Sequence, residues 1–371
     1  MVANLRGADR YLAKMEPNHA KTPQDSRKQS RAAALERIRT AQTDGPAVLA
    51  HRLASGDRVA LGQAITLVES RRVEDRPSAE ELLQAVLQMT ASKPPALRIG
   101  ITGIPGVGKS TLIESLGTAL IGQGHWVAVL AVDPTSERSG GSVLGDKTRM
   151  SQLAQNPNAF VRPSPAVDTL GGVARATHEV SLLCEAAGFD RILIETVGVG
   201  QSETSVRNMS DVFLLLLMGG TGDELQGIKR GIMEMADLIW INKADGKGTQ
   251  TAQEAASAVR YALHLLPPAA HGETVEVLVG SGLTGMGLET LQTQIEALRL
   301  AFAQSGFDTV QRQQQQERRM DEMMRQSVVE SIFQKAAAKA KWSQLQNQVQ
   351  QGQISAYSAV RAFIQSIASG A

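Results

Sequence analysis

Seven short, strongly apolar runs recur between residues 97 and about 302: LRIGIT at 97, WVAVLAVD at 126, FVRP at 160, RILIET at 191, VFLLLLM at 212, LIWIN at 238 and VEVLVGS at 275. Helix-compatible stretches separate them. Continuous rather than alternating apolar strands between helices predict an α/β fold with a mainly parallel sheet covered on both faces. Ligands on such sheets bind at the carboxyl ends of the strands. Upstream, Leu49, Leu53, Leu61, Ile65, Leu67, Val68, Leu82, Leu83, Val86 and Leu87 fall at helical spacing. They predict an N-terminal helical extension over 46–95. Pro77-Ser78 marks one helix start, with Glu80-Glu81 placed in its first turn, and Lys93-Pro94-Pro95 ends the layer. Residues 1–45 are polar and lack periodicity, which predicts a variable tail or a loosely attached helix. After Phe307 helical spacing returns in VVESIF, LQNQV and ISAYSAVRAFIQSI. These segments hold too few apolar residues for a domain of their own, so 307–371 is expected to be a helical arm. It packs on another subunit or back on the sheet. The sheet-bearing domain then spans 96–306.

Composition narrows the function classes. Of 371 residues 42% are apolar, enough for a substantial core, and the formal net charge is +1. No global field favours nucleic acid or a membrane surface, and 4% aromatics leave little for base stacking. No apolar run reaches the ~18 residues of a membrane span. Cys184 is the one cysteine, in EVSLLCEAAG, where a small buried apolar role is expected. A chain without an intramolecular disulfide fits a reducing compartment, the cytoplasm or, in a eukaryote, the mitochondrial matrix. The N-terminus lacks a signal-peptide core, and Asp9, Glu16 and Asp25 argue against a transit peptide. The six His have no metal-ligand spacing, and no D-x-H-x-x-G stretch is present, so ligation of a cobalamin by this chain through His is not expected.

The chemistry concentrates where the strands end. GITGIPGVGKST, Gly100 to Thr111, lies at a strand-to-helix turn. Gly103, Gly108, Lys109 and Ser110 match the phosphate-binding pattern G-x-x-x-x-G-K-[ST], with Ile104, Pro105, Gly106, Val107 and Thr111 completing the loop. Glycines let backbone N–H groups turn inward around phosphate oxygens, and the helix N-terminus adds positive partial charge. Lys109 reaches the β- and γ-phosphates; the Ser110 hydroxyl ligates Mg²⁺. Asn242-Lys243-Ala244-Asp245 follows the strand LIWIN. The Asp245 carboxylate can accept from N1–H and N2–H₂ of guanine, a donor pair adenine lacks. Asn242 can meet the base edge or brace the phosphate loop, and the Lys243 stem can lie over the ring. Ser281-Gly282-Leu283 ends the next strand, where backbone N–H groups would hold the guanine O6. Glu195 ends RILIET and can hold Mg²⁺ or its waters; Gly198, just beyond, can bring its N–H to a γ-phosphate. Asp133 and Asp146 flank a Ser/Gly-rich stretch and are further Mg²⁺-sphere candidates. Asp223, Glu224, Gln226, Lys229 and Arg230 follow the glycines of MGGTGDELQGIKRG, a combination that suits a switching loop. A solvated helix start explains the two acids equally well.

With the phosphate loop, DPTS, GGSVLGDKTRM, IETVGVGQSE, GDELQGIKRGIMEMADL and NKAD in one order, the chain resembles the MeaB/ArgK/MMAA group. These are P-loop GTPase chaperones of adenosylcobalamin-dependent acyl-CoA mutases, chiefly methylmalonyl-CoA mutase. The resemblance runs from about residue 46 to the C-terminus. It implies a homodimer joined by the C-terminal arm, GTP and GDP bound with Mg²⁺, and hydrolysis that is slow alone and faster with the mutase. It implies gating of cofactor loading and protection or reactivation of the mutase. By resemblance Ser110, Asp133, Asp146 and Glu195 form the Mg²⁺ environment. Gly103 to Thr111 bind phosphates, and Asn242, Lys243, Asp245 and Ser281 to Leu283 hold guanine. Catalysis falls to Lys109, Ser110, Glu195 and Gly198, and Glu224 and Lys229 are the working charges of a switch facing the mutase. Two departures stand out: MGGTGDELQ where many relatives carry a proline-containing variant, and the bulky Trp240 in the base-motif strand. Both fit a different partner, such as a 2-hydroxyisobutyryl-CoA mutase. Val199 stands where Ras-like enzymes have Gln, Gln201 lies two positions further on, and no arginine finger is identifiable, so low intrinsic turnover is expected. The competing readings are a P-loop kinase acting on a small molecule or transport protein, and a metal-insertion GTPase, which wants Cys/His clusters this chain lacks.

Overall fold

The computed structural model describes residues 45–70, 72–132, 150–162, 170–196, 202–220 and 230–368. Seven parallel strands form one sheet: β1 (Leu97–Gly103), β2 (Val127–Val132), β3 (Ala159–Arg162), β4 (Arg191–Thr196), β5 (Val212–Met218), β6 (Leu238–Asn242) and β7 (Glu276–Val279). Their order is β3-β2-β4-β1-β5-β6-β7. All seven predicted runs are strands, and the fold is the expected α/β P-loop arrangement. Period-two alternation feeds two opposite cores. On β2, Val127 and Val129 face one apolar cluster while Ala128, Leu130 and Val132 face the other. On β6, Leu238 and Trp240 point one way and Ile239 and Ile241 the other.

The N-terminal helices are α1 (Pro46–Ala54), α2 (Arg58–Val68) and α3 (Arg76–Thr90). Their apolar positions share one cluster with α6 (Leu170–Ala186), β2 and β4, so they complete the cover of one sheet face. Asp57 caps α2 by accepting from the Val59 and Ala60 amides at 2.8 and 3.1 Å. The third helix opens at Arg76, one residue ahead of the predicted Pro77 start. Its first turn therefore holds no acid, and Glu80-Glu81 fall beyond it.

The opposite face carries α4 (Lys109–Gly122), α5 (Ser151–Gln155) and α10 (Leu288–Ser305). Near β5 to β7 the first face is completed by α8 (Arg230–Met235) and α9 (Gly248–Leu263), after the short α7 (Ser202–Arg207).

Three helices follow: α11 (Phe307–Phe333), α12 (Ala336–Gln350) and α13 (Ala356–Ala368). The root of α11 packs back on the domain through Phe307, which sits against the apolar cluster, and through a set of charges beyond it. Arg312 pairs with Asp211 at 2.7 Å and donates to the Ala96 carbonyl at 2.8 Å. Gln315 donates to Ser210 O at 2.7 Å, and Arg319 pairs with Glu179. At the tip, Phe333, Trp342 and Phe363 stack with ring centroids 4.9–6.0 Å apart around Ala338, Leu345 and Ala359. The arm thus closes a small core of its own, because three of the chain's few aromatic residues converge there. Met320, Met324, Val328 and Val329 on α11 stay exposed.

Candidate functional site

The carboxyl ends of β1, β4, β6 and β7 gather those predicted residues that are described. Residues 104–108 join β1 to α4 and wrap with positive φ at Gly103, Gly106 and Gly108 (153°, 78° and 100°). Gly108 is required twice over. Its φ is strained for any other residue, and a Cβ there would lie 2.5 Å from Asn242 Nδ2. Val107 is fully buried and anchors the loop, while Pro105 and Gly106 are exposed. The helix that begins at Lys109 aims its first amides at this cradle, the ordinary construction of an anion site.

Lys109 is buried and folds back over the loop. Its Nζ donates to Gly103 O at 2.7 Å and Ile104 O at 3.4 Å. Burial lowers its pKa, against the opposing pull of Glu195 and Glu203. These carbonyls are weak partners for an ammonium, and an arriving phosphate exchanges them for full negative charge. Ser110 Oγ donates to Glu195 Oε1 at 3.1 Å, which brings two of the expected Mg²⁺ residues together. Glu195 is buried at the end of β4, where the β1–β4 register sets it beside Ile101. A hydroxyl and a carboxylate, both oxygen donors at the mouth of a phosphate loop, fit a hard cation such as Mg²⁺. Thr111 is exposed as the third residue of the helix. Asp133, Asp146, Gly198, Asp223, Glu224, Gln226 and Lys229 lie outside the described residues, as does the Arg230 side chain.

On the base side, Asn242 takes the second of its two expected roles. Its Nδ2 donates to Val107 O at 2.8 Å, bracing the phosphate loop, and its Oδ1 accepts from Gly282 N at 2.9 Å and Trp240 Nε1 at 3.1 Å. Lys243 is exposed with φ +60°, the one non-glycine residue of positive φ among those described. That turn lets Asp245 follow two residues later without burying the lysine. Asp245 Oδ1 accepts from Ser281 Oγ at 2.5 Å, which orients the carboxylate. The Gly282 amide is therefore engaged by Asn242 instead of being available to a base O6. Leu283 N donates to Ser281 Oγ at a long 3.2 Å, a bond that a ligand carbonyl can replace. Leu283 itself is 76% exposed.

Two contributors escaped the sequence. Ser115 Oγ, on α4, donates to Gly282 O at 2.6 Å and ties the phosphate helix to the base loop. Helical serines of this kind carry no sequence signal. Trp240 registered only as bulk, whereas its N–H reaches Asn242.

The profile described as methylmalonyl Co-A mutase-associated GTPase MeaB matches residues 61–337. A relative from Caulobacter vibrioides is 52% identical over 311 residues, 84% of this chain and 94% of its own length. The mouse methylmalonic aciduria type A homolog, a mitochondrial protein, is 46% identical over 285 residues, 75% of this chain and 69% of its own. A crystal structure described as LAO/AO transport system kinase superposes with a TM-score of 0.67 at 35% identity, covering 87% of this chain and 97% of that one.

Proposed function

The chain belongs to the family of methylmalonyl Co-A mutase-associated GTPases, and on that premise we propose that it hydrolyses GTP as a conformational signal to an adenosylcobalamin-dependent acyl-CoA mutase. In this reading it gates cofactor loading and protects or reactivates the mutase, methylmalonyl-CoA mutase or a relative such as 2-hydroxyisobutyryl-CoA mutase. One observation carries the nucleotide half: Asn242 joins a lysine-bearing phosphate cradle to a serine-oriented carboxylate, so a single ligand with phosphates at one end and a donor-rich base at the other spans both. The family description and the mouse relative's name support the mutase half.

Lys109 and the loop amides stabilise charge on the transferring phosphoryl group, and the buried setting of Lys109 strengthens that interaction. Ser110 and Glu195 would hold Mg²⁺, which would supply further charge neutralisation at the phosphates. Slow turnover alone and completion of the site by the partner belong to this reading through the family resemblance. Residues 307–371 form the dimerisation arm in this reading, 46–95 the helical extension, 96–306 the catalytic domain and 1–45 the variable tail. The compartment is that of the mutase, cytoplasm in a bacterium and mitochondrial matrix in a eukaryote.

The test is phosphate release from GTP with and without candidate mutases, together with capture of those mutases in the presence of GDP or a non-hydrolysable GTP analogue. Turnover of about 10 s⁻¹ by the chain alone refutes the signalling role. Nucleotide-independent failure to capture any mutase removes the chaperone role. The 35%-identical structure described as a transport system kinase favours one second reading, a P-loop kinase. Calorimetry with GTP against ATP decides between them, since a kinase has no need of the Asp245 clamp and ATP preference supports it.

A further inference from the structure

We propose that Trp240 is a positioning residue for nucleotide binding, acting through Asn242 rather than touching the ligand. The inference rests on the guanine-nucleotide reading of the site and adds a residue to it. Trp240 precedes Asn242 by two positions on β6, so both side chains leave the same face of the strand. Its Nε1–H donates to Asn242 Oδ1 at 3.1 Å. Asn242 Oδ1 accepts a second bond from Gly282 N, and Nδ2 donates to Val107 O. Two N–H donors on one side and a carbonyl on the other fix the amide in one orientation. A flipped amide would set NH₂ against two donors and its oxygen against the Val107 carbonyl. Without the indole, Oδ1 keeps one donor instead of two, and only Gly282 N and Val107 O hold the amide.

The surroundings are shaped for this indole. Trp240 is fully buried in the apolar cluster beneath the site. A Cβ on Gly280 would run into the indole carbons Cη2 and Cζ2, and one on Gly287 would lie 3.1 Å from Cη2. Gly280 is itself part of the base side: its amide donates to Ile241 O at 3.0 Å and its carbonyl accepts from Ala244 N at 3.0 Å. The far edge of the ring is thus seated between two glycine backbones, and the near edge is held by its hydrogen bond. A purely space-filling residue at position 240 needs no N–H. The directed bond to the amide that braces the phosphate loop marks the second role.

The experiment compares Trp240→Phe with a chain carrying β-(3-benzothienyl)alanine at position 240, an isostere in which sulfur replaces the N–H. Each is prepared in the wild-type and the Asn242→Ala backgrounds. GDP dissociation constants, KM and kcat for GTP, and melting temperature are measured. Loss of one neutral hydrogen bond that orders a binding residue predicts a GDP affinity about 3- to 10-fold weaker and a KM for GTP raised by the same factor, with kcat unchanged. The isostere reproduces the affinity loss without a fall in melting temperature. In the Asn242→Ala background neither change at position 240 weakens binding further. Unchanged affinity in the isostere, or an equal loss with and without Asn242, overturns the proposal, and the isostere decides it should Trp240→Phe fail to fold. A wild-type chain that bound no guanine nucleotide would sink the nucleotide reading and this inference together. Tight wild-type binding with an unaffected isostere sinks this inference alone.

Discussion

Replacing Asp211 by Asn removes one negative charge on which two guanidinium groups depend. Asp211 is 4% exposed and accepts from Arg98 N at 2.8 Å, Arg98 Nη2 at 2.9 Å, Arg312 Nε at 2.9 Å and Arg312 Nη2 at 2.7 Å. Arg98 is equally buried and, among the described residues, reaches one further acceptor, Gln315 Oε1 at 3.2 Å. An amide keeps the shape but turns two N–H groups toward donors and strips Arg98 of its hydrogen-bonded counterion, leaving the more distant Glu185 charge. Breaking a buried pair from one side costs about 3–5 kcal/mol. The same arm carries a surface pair, Arg76–Glu330 at 2.9 Å, with side chains 48% and 35% exposed. Screening and side-chain entropy hold such a pair to roughly 0–1 kcal/mol. Asp211→Asn should therefore lower the first calorimetric melting transition by roughly 5–15 °C, and Glu330→Gln by about 2 °C or less. Hydrogen exchange should rise first in 311–319, the segment that Asp211 and Ser210 hold. The pH dependence has a definite sign. Burial raises the Asp211 pKa, but Arg98 and Arg312 outweigh it and hold it below the ordinary 3.8. The stabilisation is complete above that value and disappears as pH falls through the lower folded value. The deficit of the variant should accordingly shrink below about pH 4. A loss no larger than that of Glu330→Gln would refute the view that this node pins the arm.

Lys109→Ala should cut GTP hydrolysis at least about 10²-fold with little change in melting temperature, because among the described residues Nζ donates to loop carbonyls alone; phosphate release with a thermal scan checks both halves. Asp245→Asn should weaken GDP binding about 10- to 100-fold, the scale of losing charged acceptors. It should also narrow or invert the preference for GDP over XDP in competition; undiminished GDP affinity would remove Asp245 from the base site. Burial pushes the Cys184 thiol up to about 12. A disulfide reagent at pH 8 should label it only as fast as the chain unfolds, with labelling rising steeply in denaturant, and rapid native labelling would contradict the packing around it.

The sheet was legible because each buried parallel strand is a continuous apolar run; all seven are where the pattern puts them. The phosphate loop was legible because its glycines, Lys109 and Ser110 are forced by local geometry. Asn242 was legible as a base-motif residue, yet only the fold decides between its two roles, since Val107 lies 135 positions away. Trp240 could not be interpreted from sequence: whether an indole is filler or donor depends on Gly280 and Gly287, remote in the chain and adjacent in space. The root of the arm carried no signal in the sequence. Nothing local to Arg98, Asp211, Arg312 and Gln315 links them, since Arg98 and Gln315 lie 217 positions apart. They become a buried network only when the ends of β1 and β5 meet α11. The arm is anchored there by these ions together with Phe307 at its start.

That network and the nucleotide cradle occupy opposite ends of the same strands. Arg98 and Gly103 are five residues apart on β1, about 17 Å at the rise of a strand. The strands between them are paired on both sides, β1 with β4 and β5. Interior strands so braced offer no second arrangement for a local charge change to select, and perturbations beyond about 10 Å without shared partners usually add independently. Asp211→Asn should hence leave GDP affinity within about 2-fold of wild type while it loosens the arm. A tenfold loss of affinity in a variant that remains folded would mean that strain does travel along β1 and β5. The arm would then be part of the nucleotide switch rather than an independently anchored element.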